Sequence, residues 1–233
     1  MKINRLTRLI DLLAPRPCAV CGRRLTAEEH SLCLDCLLHL PFTGYEQSPR
    51  DNEMARLFWG HIDIEKAVAL FFYAPHAPAS NPIYELKYHH RPQYGYQLGL
   101  LMGQRLAPTG FFDDIDGLMA VPLSADRRRH RGYNQSDLIA QGLSDATGIS
   151  LIKGALVRTT FNGSQTQQPS VLARRENVEN AFCLKRPSAV AGRHLLLVDD
   201  VVTTGATLHA VAATLAAAGG VRFSVASLAF APK

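Results

Sequence analysis

The fifteen residues from His194 to Leu208, HLLLVDDVVTTGATL, decide how the rest of the chain is read. Leu195, Leu196, Leu197 and Val198 form an apolar run without alternation, the pattern of a strand buried on both faces of a parallel sheet. Asp199 and Asp200 then stand at its C-terminal end, the edge at which open α/β sheets bind ligands. We expect both acids to be exposed there. Thr203, Thr204, Gly205 and Thr207 supply hydroxyls and an unhindered backbone just as a helix begins. A helix N-terminus offers unpaired N–H groups and the positive end of a dipole, so this turn suits a phosphate. The acids cannot serve that phosphate, because like charges repel. They suit sugar hydroxyls or a divalent cation. Acids for a sugar beside a turn for its phosphate describe a ribose 5-phosphate site. A plain strand-to-helix turn needs one capping residue, whereas this one holds two acids, three threonines and a glycine within nine residues.

Outward from this stretch, strand and helix patterns alternate. Ile64 to Ala74 is apolar and ends at Pro75; Gly117 to Leu123 is a second short strand; Val221 to Phe230 follows the stop Gly219-Gly220. Helical stretches are expected at Asn81 to His90, at Gln93 to Ala107 behind Pro92, at Ser136 to Thr147 before Gly148, and at Ala206 to Ala218. Ile149 to Val157 reads as extended. This alternation predicts an α/β fold with a mostly parallel sheet covered by helices on both faces. Residues 158–181, RTTFNGSQTQQPSVLARRENVENA, break it with a polar insertion longer than passive loops usually are.

The chain has 233 residues, 47% hydrophobic and 19% charged, which excludes disordered, collagenous and coiled-coil classes. No run approaches the roughly 18 apolar residues of a membrane span. Lys2, Arg5 and Arg8 give the N-terminus a passing likeness to a signal peptide, but Asp11 interrupts it and no small-residue cleavage site follows, so a cytoplasmic location is expected. Five cysteines sit at 18, 21, 33, 36 and 183, four of them as Cys18-x2-Cys21-x11-Cys33-x2-Cys36. Two such knuckles supply the four sulfurs of a structural zinc, and reducing cytosol argues against disulfides. Residues 37–60 lose periodicity and collect Pro41, Gly44, Pro49 and Asn52, reading as a linker between a zinc module at 1–58 and a larger domain at 59–233. The net charge of +5 is matched by residues 1–24 alone, and the remaining basic density clusters at Arg127, Arg128, Arg129 and Arg131. On charge, that cluster suits nucleic acid or a small polyanion equally.

VDDVVTTGAT resembles the phosphoribosyl-pyrophosphate motif of the type I phosphoribosyltransferases. Ala120-Val121-Pro122-Leu123, followed by Arg127 and by Arg131-Gly132-Tyr133-Asn134-Gln135-Ser136, resembles the P-x-P-L and R-G-[FY]-N-Q-S signature of the ComF competence-protein family. The zinc-type N-terminus and the R-x-x-N-V-x-x-x-F pattern of Arg174, Asn177, Val178 and Phe182 are similar to that family too. The chain departs in Ala120, where a proline is common, and in three consecutive arginines at 127–129. The resemblance implies a type I phosphoribosyltransferase-like domain with a flexible hood, behind a small four-cysteine zinc ribbon. It implies that Asp199 and Asp200 bind ribose hydroxyls directly or through Mg2+, and that Val202, Thr203, Thr204, Gly205, Ala206 and Thr207 wrap the 5-phosphate. The pyrophosphate would fall to the loop 122–134, with Leu123, Ser124, Arg127, Arg131 and Asn134. The hood at 158–181 would offer Gln165, Gln167, Arg174 and Asn177. Lys87, in Leu86-Lys87-Tyr88, also matches a family segment, but a lysine at a helix end more often complements the dipole.

Three functions are compatible with these motifs. The chain binds phosphoribosyl pyrophosphate or a related sugar phosphate and acts with single-stranded DNA and competence-machinery proteins, as the family resemblance implies. Or it is an active phosphoribosyltransferase of base or nucleotide salvage, losing pyrophosphate with Mg2+ assistance. Or zinc module and arginines form a nucleic-acid scaffold with a vestigial pocket, against which the intact acids and TTG turn argue. An enzyme of salvage usually needs an aromatic to stack the base; Phe223 or Phe230 could serve, although single aromatics of this kind are more often core residues.

Overall fold

The computed structural model describes residues 16–159 and 181–232. The LLLV run lies in strand β5 (His194–Val202), one strand in from the edge of a four-stranded sheet. With β1 (Ile64–Phe72), β2 (Gly117–Ala120) and β6 (Arg222–Phe230) the order is β1-β6-β5-β2, and every neighbouring pair is parallel. The strand runs past the expected Val198 to Val202, because β6 keeps pairing with it up to Phe230. Alternate residues along the strands enter opposite cores. Leu196, Val198 and Ala226 pack on one face, and Leu195, Leu197 and Val225 on the other.

The first face is covered by α3 (Asn81–Tyr88), α4 (Pro92–Leu106) and α6 (Gln135–Thr147). Helices α4 and α6 approach until Cβ atoms are excluded: one added at Gly99 would lie 2.2 Å from the Ile139 carbonyl oxygen, and one at Gly142 2.1 Å from that of Tyr96. The second face is covered by α7 (Ala206–Ala216), with Leu208, Val211 and Leu215 buried. Both faces are therefore helical, as the unalternating strands require.

The segment expected as a linker is instead packed. Thr43 donates through its hydroxyl to the Ala69 carbonyl at 2.5 Å, Ala67 N–H donates to Pro49 at 2.7 Å, and the short helix Glu53–Arg56 drives Met54 and Phe58 into the second core at 0% and 1% exposure. Sequence pattern missed this because the anchors are isolated apolar residues among turn formers. A linker of that composition and a chain laid along a sheet edge look alike.

The loop expected at 122–134 contains a helix, α5 (Ala125–Arg131). Ser124 caps it by accepting from Arg127 N–H at 3.4 Å, Asp126 occupies the first turn, and Gly132 closes it at φ 78°. Capping residue, first-turn acid, last-turn bases and terminal glycine were all present in the sequence. The extended reading of 149–157 reduces to a bridge between Leu151 and Leu118 and to β3 (Leu156–Arg158), which pairs antiparallel with β4 (Phe182–Leu184). Arg158 lies opposite Phe182, so the chain leaves for residues 160–180 and returns at one point.

Candidate functional site

Strand pairing sets the site. Ala120, the last residue of β2, lies beside Val198 of β5, so the chain from Val121 onward and the pair Asp199-Asp200 emerge at the same sheet edge. Between them opens a cleft of about 350 Å³. One wall carries Asp199, Asp200, Thr203 and Thr207, and the other carries Leu123, Asn134, Arg127 and Arg131. That size suits a small ligand.

The turn behind the acids is shaped for an anion. Gly205 precedes α7 at φ 74°, a left-handed conformation glycine adopts at no steric cost, and Phe58 backs it. Thr203, Thr204, Gly205, Ala206 and Thr207 border a recess of about 50 Å³ at the helix start, and Val202, whose side chain is buried, completes its rim. Ala206 N–H donates to the Thr204 hydroxyl at 3.5 Å.

The acids are shielded rather than exposed. Asp199 Oδ1 accepts from the Ser136 hydroxyl at 3.0 Å and from Asp200 N–H at 2.9 Å. Burial, reinforced by the adjacent Asp200 charge, pushes the Asp199 carboxyl up to about 7. Asp200 Oδ2 meets Lys87 Nζ at 3.1 Å, with both side chains mostly covered. Lys87 therefore belongs to the cleft wall and is not a mere dipole complement at the end of α3. Its placement depends on the end of α3 lying near the end of β5, which no local pattern encodes.

The arginines of the 127–131 cluster face different ways. Arg127 and Arg131, four residues apart, line the cleft. Arg129 turns away and pairs with the exposed Asp126. Arg128 lines a neighbouring hollow. Arg131 is held by Gln135 Oε1 at 3.1 Å and lies 5.7 Å from the centre of the Tyr88 ring. Ser124 serves as the α5 cap and does not line the cleft. Asn134 lines it, yet its amide nitrogen donates to the Val121 carbonyl at 3.0 Å, tying the start of α6 to the end of β2. Arg158 is a cleft residue that sequence reading missed; burial, aided by nearby Arg127, lowers its pKa while Asp199 opposes the shift. Gln165, Gln167, Arg174 and Asn177 lie outside the described residues. Phe223 and Phe230 are core residues at 4% and 2% exposure and cannot stack a ligand.

At the other end of the chain, Cys18, Cys21, Cys33 and Cys36 bring their sulfurs within 4.8 Å of one another. Four thiolates around one zinc at about 2.3 Å stand roughly 3.8 Å apart, and Cys21 and Cys33 Sγ are 3.8 Å apart. None of the four is in a disulfide. Cys33 N–H donates to Cys18 Sγ at 3.3 Å and Cys36 N–H to Cys33 Sγ at 3.4 Å, the backbone support a thiolate set needs. Burial raises the Cys18 thiol, but backbone N–H groups outweigh it and bring it down to about 7. The knuckle docks on the first face: Tyr94 donates to the Pro17 carbonyl at 2.9 Å and Asn81 to that of Val20 at 2.8 Å. Among the described residues no helix is long and apolar enough to cross a membrane.

Residues 119–233 match the phosphoribosyl transferase domain family. The chain is 34% identical over 206 residues to the DNA utilization protein YhgH of Escherichia coli K12, covering 85% of this chain and 83% of that one. It is 36% identical over 115 residues to competence protein F of Haemophilus influenzae, covering 49% and 50%. It is 35% identical over 92 residues to competence protein ComFC of Bacillus subtilis, covering 40% and 35%.

Proposed function

The chain belongs to the ComF family of phosphoribosyltransferase-like proteins, and on that premise we propose that it binds phosphoribosyl pyrophosphate at the C-terminal edge of its sheet and acts in the uptake or utilisation of DNA. The observation that carries the ligand is the two-sided cleft. Acids and a hydroxyl-lined helix start form one wall, and two arginines on one helical face form the other.

Asp199 and Asp200 accept from the ribose hydroxyls, and the turn from Thr203 to Thr207 takes the 5-phosphate through N–H groups and hydroxyls. Arg127 and Arg131 hold the pyrophosphate, whose oxygens match guanidinium forks. Lys87, already paired with Asp200, adds a positive charge beside the sugar. Ser136 keeps Asp199 turned toward the cleft. Mg2+ takes one or two carboxylates together with substrate phosphates, and Asp199 and Asp200 fit that role; the ion would neutralise phosphate charge there. The hood that the family resemblance implies at 158–181, with Gln165, Gln167, Arg174 and Asn177, falls for residues 160–180 outside the described residues. The four cysteines hold a structural zinc. The DNA role comes from the relatives' names, with single-stranded DNA and competence-machinery proteins as partners.

Isothermal titration with phosphoribosyl pyrophosphate and Mg2+ tests the ligand. The Asp199→Asn/Asp200→Asn double variant should lose at least ~1.5 kcal/mol of binding, the low end for hydrogen bonds to charged groups. Unchanged affinity removes the ribose assignment. Pyrophosphate release in the presence of a panel of bases then separates an enzyme from a binding protein.

A further inference from the structure

Beyond the edge strand β2 a second hollow of about 530 Å³ opens beside the cleft, and Pro122, Leu123, Asn134 and Arg158 line both. Its lining differs in kind. Met119, Leu151, Ile152, Leu156 and Val157 give it an apolar floor, with Met119 and Leu156 buried. Its charged groups are Arg128, Lys153 and Arg158 against the single acid Asp137, leaving an excess of positive charge. A sugar phosphate has no apolar face to set against five aliphatic side chains, so this hollow does not merely extend the first site.

From this lining we infer that the second hollow is a separate binding subsite for a small planar ring bearing an acidic group. The ring covers the aliphatic floor, and the acid meets the cationic rim. Two features make the rim available. The Arg128 side chain is in no hydrogen bond or close ion pair among the described residues and, with Lys153, faces Asp137 only at longer range, unlike Arg129 one position on, which is paired with Asp126. Lys153 stands on the opposite rim, its Nζ donating to Gln141 Oε1 at only 3.4 Å, a contact a carboxylate would displace. Arg158, shared by both hollows, already sets its guanidinium 5.3 Å from the centre of the Phe182 ring, a cation–ring contact of the kind a planar ligand would also receive. Arg127 and Arg131 line one hollow and Arg128 the other, at the two sides of α5. The inference goes beyond the sugar-phosphate reading and does not depend on it.

The test is a ligand-detected NMR titration of the full-length protein with benzoate, with benzamide as its neutral counterpart, and phosphoribosyl pyrophosphate titrated separately. Benzoate should bind saturably and at least about tenfold more tightly than benzamide, the equivalent of one hydrogen bond between charged partners. Arg128→Ala/Lys153→Ala, at two exposed positions that leave the fold intact, should weaken benzoate about tenfold and leave phosphoribosyl pyrophosphate within about twofold. Arg131→Ala should do the reverse. Equal binding of benzoate and benzamide, no saturable benzoate binding, or indifference of benzoate to the double variant overturns the subsite. Benzoate binding that follows these rules while phosphoribosyl pyrophosphate fails to bind supports the subsite and overturns the sugar-phosphate reading alone.

Discussion

Replacing Asp199 by asparagine is expected to stabilise the protein, and increasingly so as the pH rises. Asp199 sits where hydration is lost and Asp200 adjoins it, and its carboxyl is pushed from the ordinary 3.8 up to about 7, although Ser136, the Asp200 N–H and Lys87 favour the charged form. A raised carboxyl pKa means that the native state holds the proton more tightly than the unfolded chain. This group therefore costs nothing below about pH 4, costs progressively more between about 4 and 7, and levels off above. Three pH units correspond to about 4 kcal/mol at most. That shift is already net of the attraction of Lys87; the asparagine amide N–H groups, buried in place of a carboxylate oxygen, take back part of it, so a gain of about 2 kcal/mol at pH 8 is the working expectation. Asparagine keeps the Oδ1 acceptor for Ser136 and for the Asp200 N–H, so geometry is retained. Urea unfolding of both proteins at pH 5, 6, 7 and 8 measures the difference, and effects of the thiol cluster cancel between them. Parallel pH curves, or a variant less stable than wild type at pH 8, would refute the claim that Asp199 is an electrostatic cost carried for ligand binding.

Gly99→Ala should cost more than ~3 kcal/mol and lower the melting temperature sharply, because the new methyl meets the rigid Ile139 carbonyl at 2.2 Å, whereas Gly95→Ala meets side-chain atoms, Leu86 Cδ1 at 3.0 Å and Leu138 Cβ at 3.1 Å, and should be milder. Purified protein should carry one zinc by elemental analysis, and Cys33→Ser should lose it. Because Cys18, Ala19, Leu25 and Leu32 share a core with Leu86 and Tyr94, the loss should lower the main calorimetric transition rather than melt a separate unit. A chain starting at residue 59 forfeits Met54 and Phe58 and should be several kcal/mol less stable than one starting at residue 41, measured by urea unfolding.

Patterns with a local cause were legible. The LLLV run, the capped helices and the cysteine spacing each state their structure within a few residues, and the sheet and the thiol cluster followed from them. The DD-TTG turn likewise announced the edge of the sheet on which the cleft opens. What depended on tertiary approach was hidden. Lys87 meets Asp200, and Arg158 enters the cleft, from elements far from the DD-TTG turn in sequence. Phe223 and Phe230 were plausible stacking rings until both faces of β6 proved covered. The arginine run illustrates the middle case. Its helix is written in Ser124, Asp126 and Gly132, and once that helix is recognised the turn angle groups Arg127 with Arg131 and turns Arg129 away, while the hollow that Arg128 enters is set by tertiary packing.

The central claim is that the two walls of one cleft hold the two ends of phosphoribosyl pyrophosphate. Titration calorimetry of wild type and Arg131→Ala with phosphoribosyl pyrophosphate and with ribose 5-phosphate, both in Mg2+, tests it most directly. Wild type should prefer the pyrophosphate-bearing ligand. The variant should lose at least about tenfold for that ligand, the equivalent of one hydrogen bond between charged groups, and little for ribose 5-phosphate, which lacks the group that Arg131 grips. Absence of binding to wild type, or equal losses for the two sugar phosphates, would contradict the account.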